Sequence, residues 1–240
     1  MAIKSKNITE PTTAKNARQN QMLILGGIVA AALVLVIAVV IIGGNSSANV
    51  TRFAGLPYTR TADGAFVVGE PTANITIVEF ADFACPACQQ YKPTMDEFID
   101  RYVKTGQAKF ESRIIMTAGG VNTGYAARLA DCAEDQRAGA YWEAYEALYD
   151  LGGRGRANYT DSMARTLSPQ LNLNLATLLE CIPDSEQSDN DQRFAQQLGV
   201  SSTPTILVRY GNSDPQPLPG ARDIGALGQL VAAAQLIPGS

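Results

Sequence analysis

Residues 22–43, MLILGGIVAAALVLVIAVVIIG, contain no charge and no proline. A helix needs roughly 20 apolar residues to cross the hydrocarbon core of a bilayer. The run therefore divides the chain into a polar tail (1–21), a predicted transmembrane helix (22–43) and everything after it. A cleaved signal peptide is the alternative, with Ser46-Ser47-Ala48 as the small-residue site. The stretch exceeds the apolar core of ordinary signal peptides, about 15 residues at most, which favours a retained anchor. Lys4, Lys6, Lys15 and Arg18 against Glu10 give the tail a net +3, leaving −7 for the rest of a chain that totals −4. Positive flanks stay cytoplasmic, so the acidic part is expected outside the cytoplasmic membrane, in a periplasm or at the cell surface. Its charge argues against nucleic-acid binding.

The chain has no histidine. That excludes Ser-His-Asp and Cys-His catalysis, histidine-ligated zinc or copper, and an imidazole proton shuttle. Four cysteines follow the apolar run, on the side where disulfides persist. Of the three possible pairings, spacing favours Cys85 with Cys88 and Cys132 with Cys181.

Residues 44–63 lack periodicity and read as a tether, with the folded domain starting near Gly64. Ala65–Val68 is a short edge strand by pattern, and ITIVEF (75–80) is a strand covered on both faces. A helix should run from Pro86 at its first turn to Gly106, kinked at Pro93, which removes the bond to the Gln89 carbonyl. Another strand, 109–116, precedes a helical block of about 119–198. There Tyr141, Trp142, Tyr145, Leu148 and Tyr149 form a stripe expected to pack in the core. Asp184 to Asp191 reads as a solvated face. Thr205–Val208 returns to strand, and a helix from about Ile224 to Leu236 closes the chain. Two β/α halves around a helical insert predict a single α/β domain.

Cys85 and Cys88 stand three positions apart where the apolar strand gives way to the helix. A bond across two residues closes too small a loop to be a useful staple, and its strain makes it labile. A metal site needs further soft ligands, and the other two thiols are isolated. In the redox reading, Cys85 gains a stabilised thiolate from the helix N-terminus and attacks, while Cys88 resolves the mixed disulfide. Glu79, an acid inside an apolar strand, needs a partner or a task; its pKa should be raised by burial. Lys109, at the start of the next strand, is its expected charge partner.

GEPTANITIVEFADFACPAC resembles the opening of DsbA-like thiol–disulfide oxidoreductases, particularly the membrane-anchored branch that includes BdbD-type proteins. The resemblance runs from about Gly64 to Leu236. It rests on Gly69-x-Pro71-x-Ala73, Val78-Glu79-Phe80-x-Asp82-Phe83, Cys85-Pro86-x-Cys88 and Gly199-Val200-x-x-Thr203-Pro204-Thr205. It implies a thioredoxin-like fold, a cis Pro204 lying against the two thiols, Thr203 as a substrate-contacting residue, and Glu79 moving protons beneath the site. It also implies a structural Cys132–Cys181 disulfide. No cofactor is expected beyond the redox-active disulfide, and no metal. Implied partners are client protein thiols or disulfides and a quinone-linked membrane protein of the DsbB or vitamin-K-epoxide-reductase type. A non-catalytic accessory subunit of a membrane complex is the alternative. Pro86-Ala87 departs from the family's strongest oxidants, which place histidine between the cysteines; a less acidic Cys85 and a milder couple should follow.

Overall fold

All seven residues of β3 (Ile75–Ala81) are buried, and the strand lies inside a six-stranded sheet. The computed structural model describes residues 52–155, 158–220 and 222–236. The tail, the apolar run 22–43 and the first part of the tether lie outside the described residues. Among those described, no helix is long and apolar enough to cross a membrane.

Around β3 stand β1 (Tyr58–Arg60), β2 (Phe66–Val68), β4 (Lys109–Ile114), β5 (Thr205–Tyr210) and β6 (Gln216–Pro217), in the order β1-β2-β4-β3-β5-β6. β3 runs parallel to β4 and antiparallel to β5. Side chains alternate across a strand, so Ile75, Ile77, Glu79 and Ala81 share one face while Thr76, Val78 and Phe80 share the other. The first face belongs to the main core, with Met95 and Phe98 of α1 (Pro86–Phe98). The second meets a smaller cluster containing Ala195 and Val200.

After Phe98 the helix does not simply continue to Gly106, as the pattern predicts. A π-helical segment, Ile99–Val103, intervenes. Between β4 and β5 come the predicted helices: α2 (Val121–Gln136), α3 (Ala140–Gly153), α4 (Asp161–Gln170), α5 (Leu175–Cys181) and α6 (Gln187–Gln197). The aromatic stripe of α3 is buried as expected. Phe66 stacks on Tyr141 with ring centroids 3.5 Å apart, and each large side chain so buried contributes roughly 1.5–3 kcal/mol. Cys132 of α2 is bonded to Cys181 at the end of α5, their Cα atoms 5.9 Å apart. The last helix, α7 (Ile224–Ala234), is capped by Asp223, whose side chain accepts from the Ala226 amide.

Two expectations are corrected here. The folded part begins before Gly64: β1 pairs with β2 along its whole length, and Phe53 is buried against Trp142. A three-residue strand and a single aromatic anchor carry no periodic signal, so the segment resembles a linker. The acidic stretch 184–191 is not simply a solvated face either. Asp191 is 3% exposed; it accepts from the Ile114 amide at 3.0 Å and from Arg113 at 3.2 Å. One inward position in a polar helix is invisible to a composition argument.

Candidate active site

The turn from β3 into α1 is held by its own backbone, the Cys85 amide donating to the Asp82 carbonyl at 3.0 Å. Cys85 keeps an extended conformation (φ −75°, ψ 121°) as the residue that caps α1, and Pro86 begins the helix. Proline is at home there because its missing N–H would have no partner inside the helix. Helix amides left free at that end face outward and favour negative charge.

The two thiols are unequal. Cys85 is 8% exposed and flanked by exposed Pro86 and Ala87, whereas Cys88 is fully enclosed. Burial raises the Cys85 thiol, but hydrogen bonding at Thr203 and at the Cys88 and Ala87 backbones outweighs it, so Cys85 lies below the ordinary thiol value. Burial pushes Cys88 strongly the other way, and the nearby charge of Glu79 adds to the rise. Both thiols are free in this structure. The Cys85–Cys88 bond predicted from spacing is therefore not formed, and the geometry is that of the dithiol.

Thr203 and Pro204 reach the site from far along the chain. The peptide between them is cis, and the Thr203 carbonyl lies 3.5 Å from the Cys85 sulfur, from which it accepts. β5 begins at the next residue, so the sheet fixes the loop against the thiols.

Glu79 is 1% exposed and shares its face of β3 with the main core. Burial raises its carboxyl to about 7, despite the opposing charge of Lys92 and a hydrogen bond donated by Tyr145. That bond reaches Oε2 at 3.5 Å, and Oε1 has no partner among the described residues. Lys109 is not its charge partner. In the register of β3 and β4, Lys109 stands opposite Thr76 and Glu79 opposite Ser112. Thr76 and Glu79 are three positions apart, an odd offset, so Lys109 projects from the other face, where its ammonium donates to the Pro71 carbonyl at 3.2 Å. The cation near Glu79 is Lys92 of α1, which lies over the Tyr145 and Tyr149 rings and pairs with Glu146 at 2.8 Å.

A family model described as Thioredoxin matches residues 61–217, well over half of the chain. The chain belongs to the thioredoxin family. Within it, this thioredoxin is DsbA-like. It is 27% identical to the crystal structure of Pseudomonas aeruginosa DsbA2, with a TM-score of 0.55, over 71% of this chain and 93% of that one. It is 25% identical over 162 residues to disulfide bond formation protein D of Bacillus subtilis, covering 60% of this chain and 68% of that protein. It is also 30% identical over 149 residues to the Na(+)/H(+) antiporter NhaA 1 of Salinispora arenicola, covering 61% of this chain. The match spans only 22% of the antiporter's length.

Sequence reasoning missed two residues of this thioredoxin's site and one charge. Asp82 falls within a motif that carries the resemblance, yet has no role assigned by it. Its fully buried carboxylate accepts from the amides of Ala84, Thr117 and Gly119 at 2.8, 3.0 and 3.0 Å. It also accepts from the hydroxyls of Thr117 and Thr123. Thr117, in the loop after β4, has no sequence signal at all. Lys92 was legible in principle as a lysine beside the inward-facing Tyr91 and Met95.

Proposed function

We propose that this thioredoxin exchanges disulfides with client proteins through Cys85 and Cys88. The observation that carries the reading is the inequality of the two thiols across one helical turn, one favoured as a thiolate and the other held neutral. In the oxidised form a client thiolate attacks Cys85, the Cys85–Cys88 bond breaks, and Cys88 leaves with the electron pair and takes a proton. A second client thiol then loses its proton and attacks the client sulfur of the mixed disulfide. Cys85 leaves as thiolate, the client has lost two electrons, and the protein holds them as a dithiol. Glu79, titrating near neutrality, suits delivery and removal of the Cys88 proton. No cofactor beyond the thiol pair is required.

The setting belongs to the same proposal: an anchor at 22–43, an active domain outside the cytoplasmic membrane, and re-oxidation by a DsbB-type or vitamin-K-epoxide-reductase-type partner. The apolar run, the charge asymmetry and the likeness to disulfide bond formation protein D support it. Pro86-Ala87 supports a couple milder than DsbA, whose potential is about −120 mV. The partial match to an antiporter favours one second reading, a non-catalytic accessory module of a larger membrane protein.

Trapping separates the two. Cys88→Ala cannot resolve the first intermediate, so it should accumulate mixed disulfides through Cys85 when offered a disulfide-bearing client peptide. The variant that also carries Cys85→Ala should trap none. Equal trapping by both, with no peptide oxidation by the wild type, would leave the accessory reading standing.

A further inference from the structure

Lys109, which the redox site does not use, belongs to a second cleft. Thr76 of β3 stands opposite Lys109 of β4 on one side and opposite Arg209 of β5 on the other. Residues paired in register share a face of the sheet, so an ammonium, a hydroxyl and a guanidinium form one row across three strands. Neighbouring strands lie about 4.8 Å apart, which sets the two cationic positions roughly 10 Å from each other with Thr76 between them. The row lines a cleft of about 710 Å³, together with Phe194 and Gln197 of α6 and the loop after β5. Thr76 is 3% exposed.

The two cations are held differently. Glu111, buried two residues further along β4, gives one carboxylate oxygen to Arg113 at 2.7 Å and the other to Arg209 at 2.5 Å. That contact fixes the Arg209 guanidinium by one nitrogen and leaves its other N–H groups without a partner among the described residues. Lys109 pairs with no carboxylate among them, and its ammonium donates only to the Pro71 carbonyl. Of the acids lining the cleft, Asp63 is committed to Arg113 and Asp214 is exposed on the loop after β5. Burial lowers the Lys109 ammonium below the ordinary lysine value, and the charge of Arg209 adds to the fall. Two cations thus face one cleft with a threonine, not an acid, between them.

We propose that this cleft binds a small organic phosphate, its phosphate group lying over Thr76 between Lys109 and Arg209. A terminal phosphate presents three oxygens, and the row supplies a guanidinium fork, a compact ammonium charge and a hydroxyl. The volume falls within the ~300–1,000 Å³ of small-molecule sites. Phe194 offers an apolar wall to the organic part. A soluble phosphate ester and a lipid headgroup share this chemistry. The site is separate from the thiols: Thr76 is the second residue of β3, whereas Cys85 follows the far end of that strand, in the main core on its other face. The inference therefore stands independently of the disulfide-exchange reading.

Protection of Lys109 from acylation tests it. Full-length protein in detergent is treated with acetic anhydride at fixed ionic strength, with and without glycerol 3-phosphate, and each lysine is read by mass spectrometry. Lys109 should be protected saturably and at least tenfold, while exposed Lys104 is not. Arg209→Met should move half-protection to at least tenfold higher concentration, and Thr76→Val should move it severalfold. Cys85 alkylation should be the same with and without the phosphate. Micelles carrying short-chain phosphatidic acid, against phosphatidylcholine alone, distinguish the source. Protection by glycerol 3-phosphate marks a soluble ester; protection by phosphatidic acid alone marks a headgroup. The proposal is overturned if neither probe protects Lys109, if Lys104 is protected equally, or if Arg209→Met is protected like the wild type. Should Arg209→Met fail to fold, Thr76→Val decides, unshifted protection overturning the proposal.

Discussion

Two buried acids, Glu79 and Asp191, are each raised to about 7 by burial, yet their surroundings differ. Asp191 faces a cluster in which both its oxygens are used: Oδ2 accepts from the Ile114 amide, and Oδ1 accepts from Gln187 and Arg113. Arg113, itself 1% exposed, also pairs with Glu111 and Asp63 at 2.7 Å each. Glu79 has one long bond from Tyr145 and an oxygen with no partner among the described residues, and its charge is felt at Cys88. Charges that satisfy one another fix a shape. A buried acid left half-satisfied next to a thiol is free to gain and lose a proton, and that difference separates the scaffold of this thioredoxin from its chemistry.

The contrast can be broken from either side. The largest expected effect is from Arg113→Met, which strands Asp191 without its cation and leaves Glu111 with Arg209 alone. Removing one partner of a buried pair costs about 3–5 kcal/mol, so urea unfolding should show a loss of that order, with Cys85 alkylation little changed in the protein that remains folded. A loss confined to thiol reactivity would mean that the cluster serves the site after all.

Glu79→Gln should give a smaller and pH-dependent change. The folded state holds a proton on Glu79 that the unfolded chain releases near 4.5. The resulting stability is fully present below that pH and is lost as pH rises to about 7. The variant should flatten this part of the stability profile, a change of up to about 3 kcal/mol. It should also slow formation of the mixed disulfide from the oxidised protein, the step in which Cys88 leaves and takes its proton, by roughly a hundredfold, the usual size of a general-acid contribution. Unchanged formation kinetics would reduce Glu79 to a structural member.

Much of this was legible in the residues because it repeats or alternates. The β3 run, the α3 stripe and the insert between two β/α halves all announce themselves by period, and the Cys85–Cys88 spacing announces the turn. Lys109 stands at the start of the next strand, which suggests a pair with Glu79; only the strand register shows that the two point from opposite faces. Phe53, Asp191 and Thr117 escaped because each matters through one long-range contact, and a single residue has no period. Asp82 lies inside a motif that gives it no role, since its five donors come from segments up to 41 positions apart.

The central claim is the inequality of Cys85 and Cys88, and site-resolved alkylation of the reduced protein across a pH series measures it directly. The account predicts that Cys85 is modified at neutral pH with an apparent pKa below that of an ordinary thiol, while Cys88 stays unmodified well into the alkaline range. Equal rates at the two thiols, or modification of Cys88 first, would contradict it.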